Sequence, residues 1–217
     1  MKVLVFAPHN DDEILGVGGT MAKHIADGDE VYVCEATASN NLDRRKLLRS
    51  EARKAHELLG VSNTYFLDFP PVELPHQTVR EFNGAIAGVV KTVEPDIVYL
   101  PFYGDMHKDH TVVADAVMVA VRPLAAPFIS AVYAYETLSE TGWNYPTADK
   151  TFIPNVYVDI TDHMDTKIEA MKKYASQIKE APHPRSEEGL RALATYRGGT
   201  VGAKYAEAFM CIREIRR

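Results

Sequence analysis

The sequence predicts an α/β protein: a mostly parallel sheet with helices on both faces. Three observations carry this. Short apolar runs alternate along the chain with longer stretches of helical periodicity. Each run is apolar throughout, as in a strand buried on both faces, rather than alternating apolar with polar. No Pro-, Gly- or Ser-rich linker divides the 217 residues, a length one core can hold, so a single domain over 1–217 is expected.

The elements follow in order. Val3-Leu4-Val5-Phe6 is a first strand, and Ile14 to Ala26 suits a helix stopped by Gly28. Val31 to Cys34 is a second strand. Leu42 to Leu59 places Leu47, Leu48, Ala52, Ala55, Leu58 and Leu59 at helical spacing before Gly60. Tyr65-Phe66-Leu67 is a third strand. Val79 to Val93 is helical, and Pro95 ends it. Ile97 to Leu100 is a fourth strand, followed by a helix from Thr111 to Val121. Ala131 to Tyr135 and Val156 to Val158 are further strands. Thr161 and Asp162 can cap a helix reaching Ile178. Glu180 to Glu188, with Pro182 and Pro184, reads as a loop.

Composition narrows the class. Hydrophobic residues at 46% and charged residues at 25% exclude a disordered chain, a collagen and a coiled coil. Lys and Arg number 24 against 30 Asp and Glu, a net charge of −6, without the basic stripe of a nucleic-acid binder. Two cysteines, Cys34 and Cys211, cannot build a disulfide framework or an all-thiolate zinc site. Sparse cysteine fits a reducing cytoplasm, and cytoplasmic location is expected. No secretory signal is visible, and no stretch approaches the ~20 apolar residues of a membrane span.

Two polar clusters follow strands one and four, where ligands bind in open α/β sheets. The first is Pro8-His9-Asn10-Asp11-Asp12-Glu13; the second is Asp105-Met106-His107-Lys108-Asp109-His110. Strands one and four commonly flank the switch point of such a sheet, so the two loops can meet. His9 and Asp12, three residues apart at a helix entry, can aim at one point, and His110 supplies a third ligand from the other loop. Two close ligands, one remote ligand and an open position describe a catalytic zinc site. Imidazole and carboxylate together suit Zn2+; another divalent transition metal, iron included, stays open. Asp11 then points elsewhere and is placed to act as general base. His107, protonated, can sit near the substrate and stabilise an oxyanion, and Asp109 can orient one of the histidines. The rival for each piece is structural. Acids are favoured at helix starts, and histidines are common on surfaces.

Ala7-Pro8-His9-Asn10-Asp11-Asp12-Glu13-Ile14-Leu15-Gly16, with His107-x-Asp109-His110, resembles the LmbE-like, or PIG-L, family of zinc-dependent de-N-acetylases. Gly16 to Thr20, Asp159-Ile160-Thr161 with Lys167, Ala170 and Ser176-Gln177, and Lys204 to Phe209 extend the likeness over nearly the whole chain. The resemblance implies a Rossmann-like sheet and removal of an N-acetyl group from a small amino-sugar conjugate, usually of N-acetylglucosamine. It implies His9, Asp12 and His110 as zinc ligands and Asp11 as base. It implies His107 as stabiliser of the tetrahedral intermediate and as a proton donor to the leaving amine, and Asp109 as support for the histidine geometry. Homo-oligomers are usual in the resembling subgroup, and a homo-oligomer is expected. The family usually has Pro at the Asn10 position and often has Arg where this chain has Leu48. Arg49 is a candidate for the substrate's polar groups, with a solvated helix arginine as its rival. His183-Pro184-Arg185-Ser186 resembles the subgroup that deacetylates the N-acetylglucosaminyl-malate precursor of bacillithiol. Arg185 is a second candidate for substrate, set against a loop salt bridge.

Two other readings compete. Gly16, Gly18 and Gly19 near the first helix, with Glu35 ending strand two, suggest a nucleotide binder. However, the glycines come too late, and three carboxylates would repel a pyrophosphate. A non-catalytic sugar-binding protein is the other rival, and an intact base at Asp11 weighs against it.

Overall fold

The computed structural model describes residues 1–216. One seven-stranded sheet runs β3-β2-β1-β4-β5-β7-β6. Its strands are β1 (Lys2–Ala7), β2 (Glu30–Thr37), β3 (Asn63–Phe69), β4 (Ile97–Pro101), β5 (Ala131–Tyr135), β6 (Val156–Asp159) and β7 (Ala206–Glu214). The first five pair in parallel, and β7 runs antiparallel between β5 and β6. The sheet is therefore mixed, with the parallel part carrying the site.

Six helices cover the two faces: α1 (Asp12–Ala26), α2 (Leu42–Leu59), α3 (Val79–Val93), α4 (Lys108–Ala120), α5 (Met164–Lys173) and α6 (Glu187–Gly199). Two apolar cores result. One joins α1, α2, α5 and α6 to the sheet through residues such as Val5, Val17, Met21, Ala55, Ile168 and Phe209. The other joins α3 and α4 through Leu4, Phe6, Phe82, Ile86, Val117 and Val132. Consecutive residues of β1 thus belong to opposite cores, as expected of a strand buried on both faces.

The helices start and stop where their sequences dictate. Asn41 caps α2 by accepting the amides of Asp43 and Arg44, and Gly60 closes that helix at φ 92°. Thr78 caps α3 by accepting the Glu81 amide. The glycines of α1 serve packing. A Cβ on Gly16 would lie 2.2 Å from the buried Tyr135 ring, and one on Gly19 would lie 2.7 Å from Ile160. The late helix is shorter than the sequence predicts. A 3-10 turn spans Thr161–His163, and α5 ends at Lys173 instead of Ile178. Cys34 and Cys211 are both free. No helix among the described residues is long and apolar enough to cross a membrane.

Chain order explains where a site can form. From β1 the chain winds outward through β2 to β3, then returns through α3 to β4 on the other side of β1. The loops after β1 and β4 diverge in direction, and a crevice opens between them.

Candidate metal centre

The loop after β1 enters α1 through Asp11, whose φ of 106° lies in the left-handed region. That turn points the side chains of His9 and Asp12 to one place. The loop after β4 enters α4 through His107, whose Nδ1 accepts the Asp109 amide at 3.1 Å. One turn into α4, His110 faces the same place. Ligand atoms of His9, Asp12 and His110 all lie within 4.8 Å of one another. Asp12 Oδ2 sits between the rings, 3.2 Å from His9 Nδ1 and 3.2 Å from His110 Nε2.

Each ring is held from behind. Asp105 Oδ2 lies 2.8 Å from His110 Nδ1, and Thr141 Oγ1 donates to the other Asp105 oxygen at 2.5 Å. Asp109 Oδ2 lies 3.1 Å from His9 Nε2 and accepts the Val72 amide at 2.7 Å. Asp109 thus supports His9, while the support of His110 comes from Asp105. Sequence reasoning gave Asp105 no role, although it lies in the second cluster. Its contact depends on the fold of the loop, which the spacing does not reveal.

The donor set fits a divalent transition metal. His110 Nε2 is buried, and although it lies close to Asp12 it makes no hydrogen bond. Its other nitrogen is fixed by a carboxylate, the arrangement that orients metal-binding histidines. The electrostatics agree. Burial opposes charging His9, but hydrogen bonds with Asp109 and Asp12 push it up to about 9. Burial likewise opposes charging His110, and Asp12 and Asp105 outweigh it. Burial also works against the Asp12 carboxylate, but His110 and His9 hold its pKa far below the usual range. The centre of the cluster calls for positive charge, which protons or a cation can supply.

Asp11 differs from the other carboxylates here. No imbedded imidazole faces it; its Oδ2 is 3.2 Å from Arg185 Nη1. Burial and the Asp12 charge raise its pKa well above the usual range, and Arg185 opposes them. Burial and neighbouring His9 lower the pKa of His107. A cavity of about 250 Å³ opens over the cluster, lined in part by His9, Asp11, Asp12, His107 and Arg185.

Arg49, the other candidate for substrate, is not among the residues lining that cavity. Its guanidinium pairs with Asp68 and lies 4.8 Å from the Phe66 ring centre. Helical register is the reason: Arg44 and Leu48, four residues apart on α2, face the cavity, and Arg49 is turned away. Arg44 is the cation that sequence reasoning missed. The available signal was spacing: Leu48 stands where the resembling family often has arginine, and Arg44 lies one helical turn before it.

The carboxylates of β2 and α1 exclude the nucleotide reading. Glu35 is buried and bonded to Asn10 and Tyr174. It offers nothing to a ribose.

Comparisons with known proteins agree with this geometry. The diacetylchitobiose deacetylase of Thermococcus kodakarensis is 32% identical over 227 residues, covering 95% of this chain and 81% of that one. The probable N-acetyl-alpha-D-glucosaminyl L-malate deacetylase 2 of Bacillus cereus is 24% identical over 194 residues, covering 82% of this chain and 84% of that one. The solved N,N'-diacetylchitobiose deacetylase from Pyrococcus horikoshii matches with a TM-score of 0.79 at 26% identity, covering 98% of this chain and 84% of that one. Residues 4–121, which include both clusters, match the family described as PIG-L, GlcNAc-PI de-N-acetylase. The chain belongs to the PIG-L family.

Proposed function

We propose that this protein is a metal-dependent deacetylase that hydrolyses the N-acetyl amide of an N-acetylglucosamine conjugate, releasing acetate and a free amine. One observation carries the reading: the division of labour among four buried carboxylates. Asp12, Asp105 and Asp109 each face an imidazole, whereas Asp11 faces the cavity and Arg185. Three carboxylates build a centre and the fourth is left to move a proton. The names of the relatives, deacetylases of diacetylchitobiose and of N-acetyl-alpha-D-glucosaminyl L-malate, support the substrate class.

His9, Asp12 and His110 would hold the metal, with zinc the choice best suited to two imidazoles and a carboxylate. Bound there, it would supply a Lewis acid that polarises the amide carbonyl. Asp11 accepts a proton from the attacking water as its oxygen adds to the carbonyl carbon. His107 accepts the Asp109 amide through Nδ1, so in the neutral ring the proton sits on Nε2. That N–H donates to the carbonyl oxygen as negative charge develops there. When the C–N bond breaks, the proton held by Asp11 passes to the leaving nitrogen, and amine and acetate separate. Arg185 holds the Asp11 carboxylate in place. Its Nε is buried without a partner, which leaves a donor for a polar group of the substrate.

The test is acetate release from N-acetylglucosamine conjugates by protein of measured metal content. Asp11→Asn should keep the metal and lose about 10²–10⁴-fold in kcat, the usual worth of a general base. Unchanged turnover would remove Asp11 from that role. Protein that takes up no stoichiometric transition metal would refute the metal centre.

A further inference from the structure

A second cleft adjoins the metal-side cavity. The two share Val72, His107, Ser139 and Glu140 as a common wall, and the second cleft is open, with a volume of about 600 Å³. Beyond the wall its lining is Pro75, His76, Met106, Lys108 and Trp143. Three large apolar side chains are left exposed here: Val72 at 69%, Met106 at 54% and Trp143 at 56%. An apolar cluster on the rim of a polar site marks a binding surface.

We propose that this cleft is a second sugar subsite, in which Trp143 stacks on a pyranose ring joined to the reacting N-acetylglucosamine. The inference rests on the deacetylase reading above and deepens it. Three arguments select this occupant. The metal-side cavity, at about 250 Å³, falls below the ~300–1,000 Å³ of ordinary ligand sites, so anything beyond one ring must extend past it. A continuation runs over the shared wall into the second cleft, the roomier of the two. Second, the cleft is close to electrically balanced, with Lys108 against Glu140. A dicarboxylate such as malate would need more cations, whereas a neutral polyol needs none. Third, an indole that shares its cleft with Ser139, Glu140, His76 and Lys108 matches a pyranose, which has an apolar C–H face and a rim of hydroxyls.

The platform is also preorganised. Trp143 lies on a short 3-10 turn, Thr141–Trp143. Thr141 Oγ1 donates to Asp105 and accepts the Thr137 amide at 2.9 Å. Asn144, next in the chain, donates to the Gly104 carbonyl. The turn that carries the indole is therefore tied to the carboxylate behind His110. A rigid aromatic platform binds with little ordering cost.

The chain has one tryptophan, so its emission reports on this cleft directly. Metal-loaded Asp11→Asn protein is titrated with N-acetylglucosamine, diacetylchitobiose and N-acetylglucosaminyl-malate. Diacetylchitobiose should change Trp143 emission and bind about tenfold more tightly than the monosaccharide. In active protein, Trp143→Ala should lower the ratio of kcat/KM for disaccharide over monosaccharide about tenfold, and Trp143→Phe should retain most of that ratio. Equal losses on both sugars would assign Trp143 a structural role and overturn the subsite. So would tighter binding of the malate conjugate than of diacetylchitobiose. If diacetylchitobiose is deacetylated without any change in Trp143 emission, the subsite fails and the deacetylase reading stands. If emission saturates with diacetylchitobiose but no sugar releases acetate, the subsite stands and the deacetylase reading fails.

Discussion

Replacing Lys167 by methionine should cost this fold much of its stability, and the structure allows the size to be worked out. Lys167 and Glu207 are 4% and 5% exposed. The Lys167 ammonium lies 2.5 Å from Glu207 Oε1 and donates to the Leu15 carbonyl at 2.8 Å. The same carboxylate accepts the amides of Gly19 at 2.9 Å and Thr20 at 2.7 Å. A lysine from α5 and a glutamate from β7 thus reach into the middle of α1. Methionine matches the apolar stem but leaves the buried Glu207 carboxylate short of its cation. Breaking a buried pair from one side costs about 3–5 kcal/mol. The two backbone donors that remain place the expectation near ~3 kcal/mol, the low end of that range. Urea unfolding followed by circular dichroism measures it as a lower midpoint at unchanged m. Replacing both partners, Lys167→Met with Glu207→Gln, removes the stranded charge and should recover part of the loss, giving a coupling energy of about 1 kcal/mol or more. A loss below ~1 kcal/mol for Lys167→Met alone would refute the reasoning, since it would mean that the carboxylate never depended on the ammonium.

Two further predictions concern packing and the metal. Gly16→Ala puts a Cβ into the Tyr135 ring, which cannot retreat easily because its hydroxyl donates to the Phe6 carbonyl at 2.7 Å. A loss of about 1–3 kcal/mol in urea unfolding is expected, whereas Gly84→Ala in α3, where a Cβ meets nothing within 4 Å, should gain about 0.5–1 kcal/mol. Asp105→Ala removes the carboxylate behind His110 and should weaken zinc binding about 10–100-fold in chelator competition, and an unchanged affinity would mean that Asp105 does not orient the ring.

Much of this fold was legible because its signals are local. The spans predicted for α2, α3 and β5 coincide with those observed, since Gly60, Thr78 and Pro95 act on their own backbone. The misreadings share a tertiary cause. The late helix stops early because Tyr174 leaves helical geometry, at ψ 58°, where its hydroxyl donates to Glu13 at 2.6 Å. No pattern near Tyr174 announces a partner 161 positions away. Helix α6 had a signal, Ser186 capping the Gly189 amide ahead of Leu190 and Ala194, but it directly follows the prolines that mark a loop. The antiparallel sense of β7 is not written in its own residues, because direction belongs to the pairing. The same division holds at the site. His9 and Asp12 sit at a spacing that one helical turn can read, His110 follows the strand that the sheet rule places beside theirs, and the structure brings the three together. Arg49 lies one position from Leu48, which on a helix turns a side chain by about 100°, and a sequence without its neighbours does not show which of the two faces the cavity.

Asn10 shows how one departure from the resembling family can be compensated inside the core. Proline, usual at that position, would fix φ just before Asp11. Asp11 needs such control, because φ 106° is costly for a residue with a side chain, on the order of 1–3 kcal/mol. Here the control comes from hydrogen bonds instead. The Asn10 side chain donates to Glu35, and the Asp11 carbonyl accepts the amides of Ile14 at 3.1 Å and Leu15 at 2.9 Å. Glu35 is itself a demanding partner: burial and neighbouring Glu13 raise its pKa well above the usual range. Glu13 is held by Tyr174 at 2.6 Å and His56 at 3.1 Å, and His56 is held by Thr64 at 2.8 Å. A buried network from α2, β3 and the end of α5 thus reaches the backbone that aims the proposed base. Proline would do locally, with one ring, what this chain does with residues from five elements. The asparagine is therefore not a relaxed version of the motif: it moves the control of Asp11 from the loop into the core, where Glu35 would lose a donor if Asn10 were changed alone.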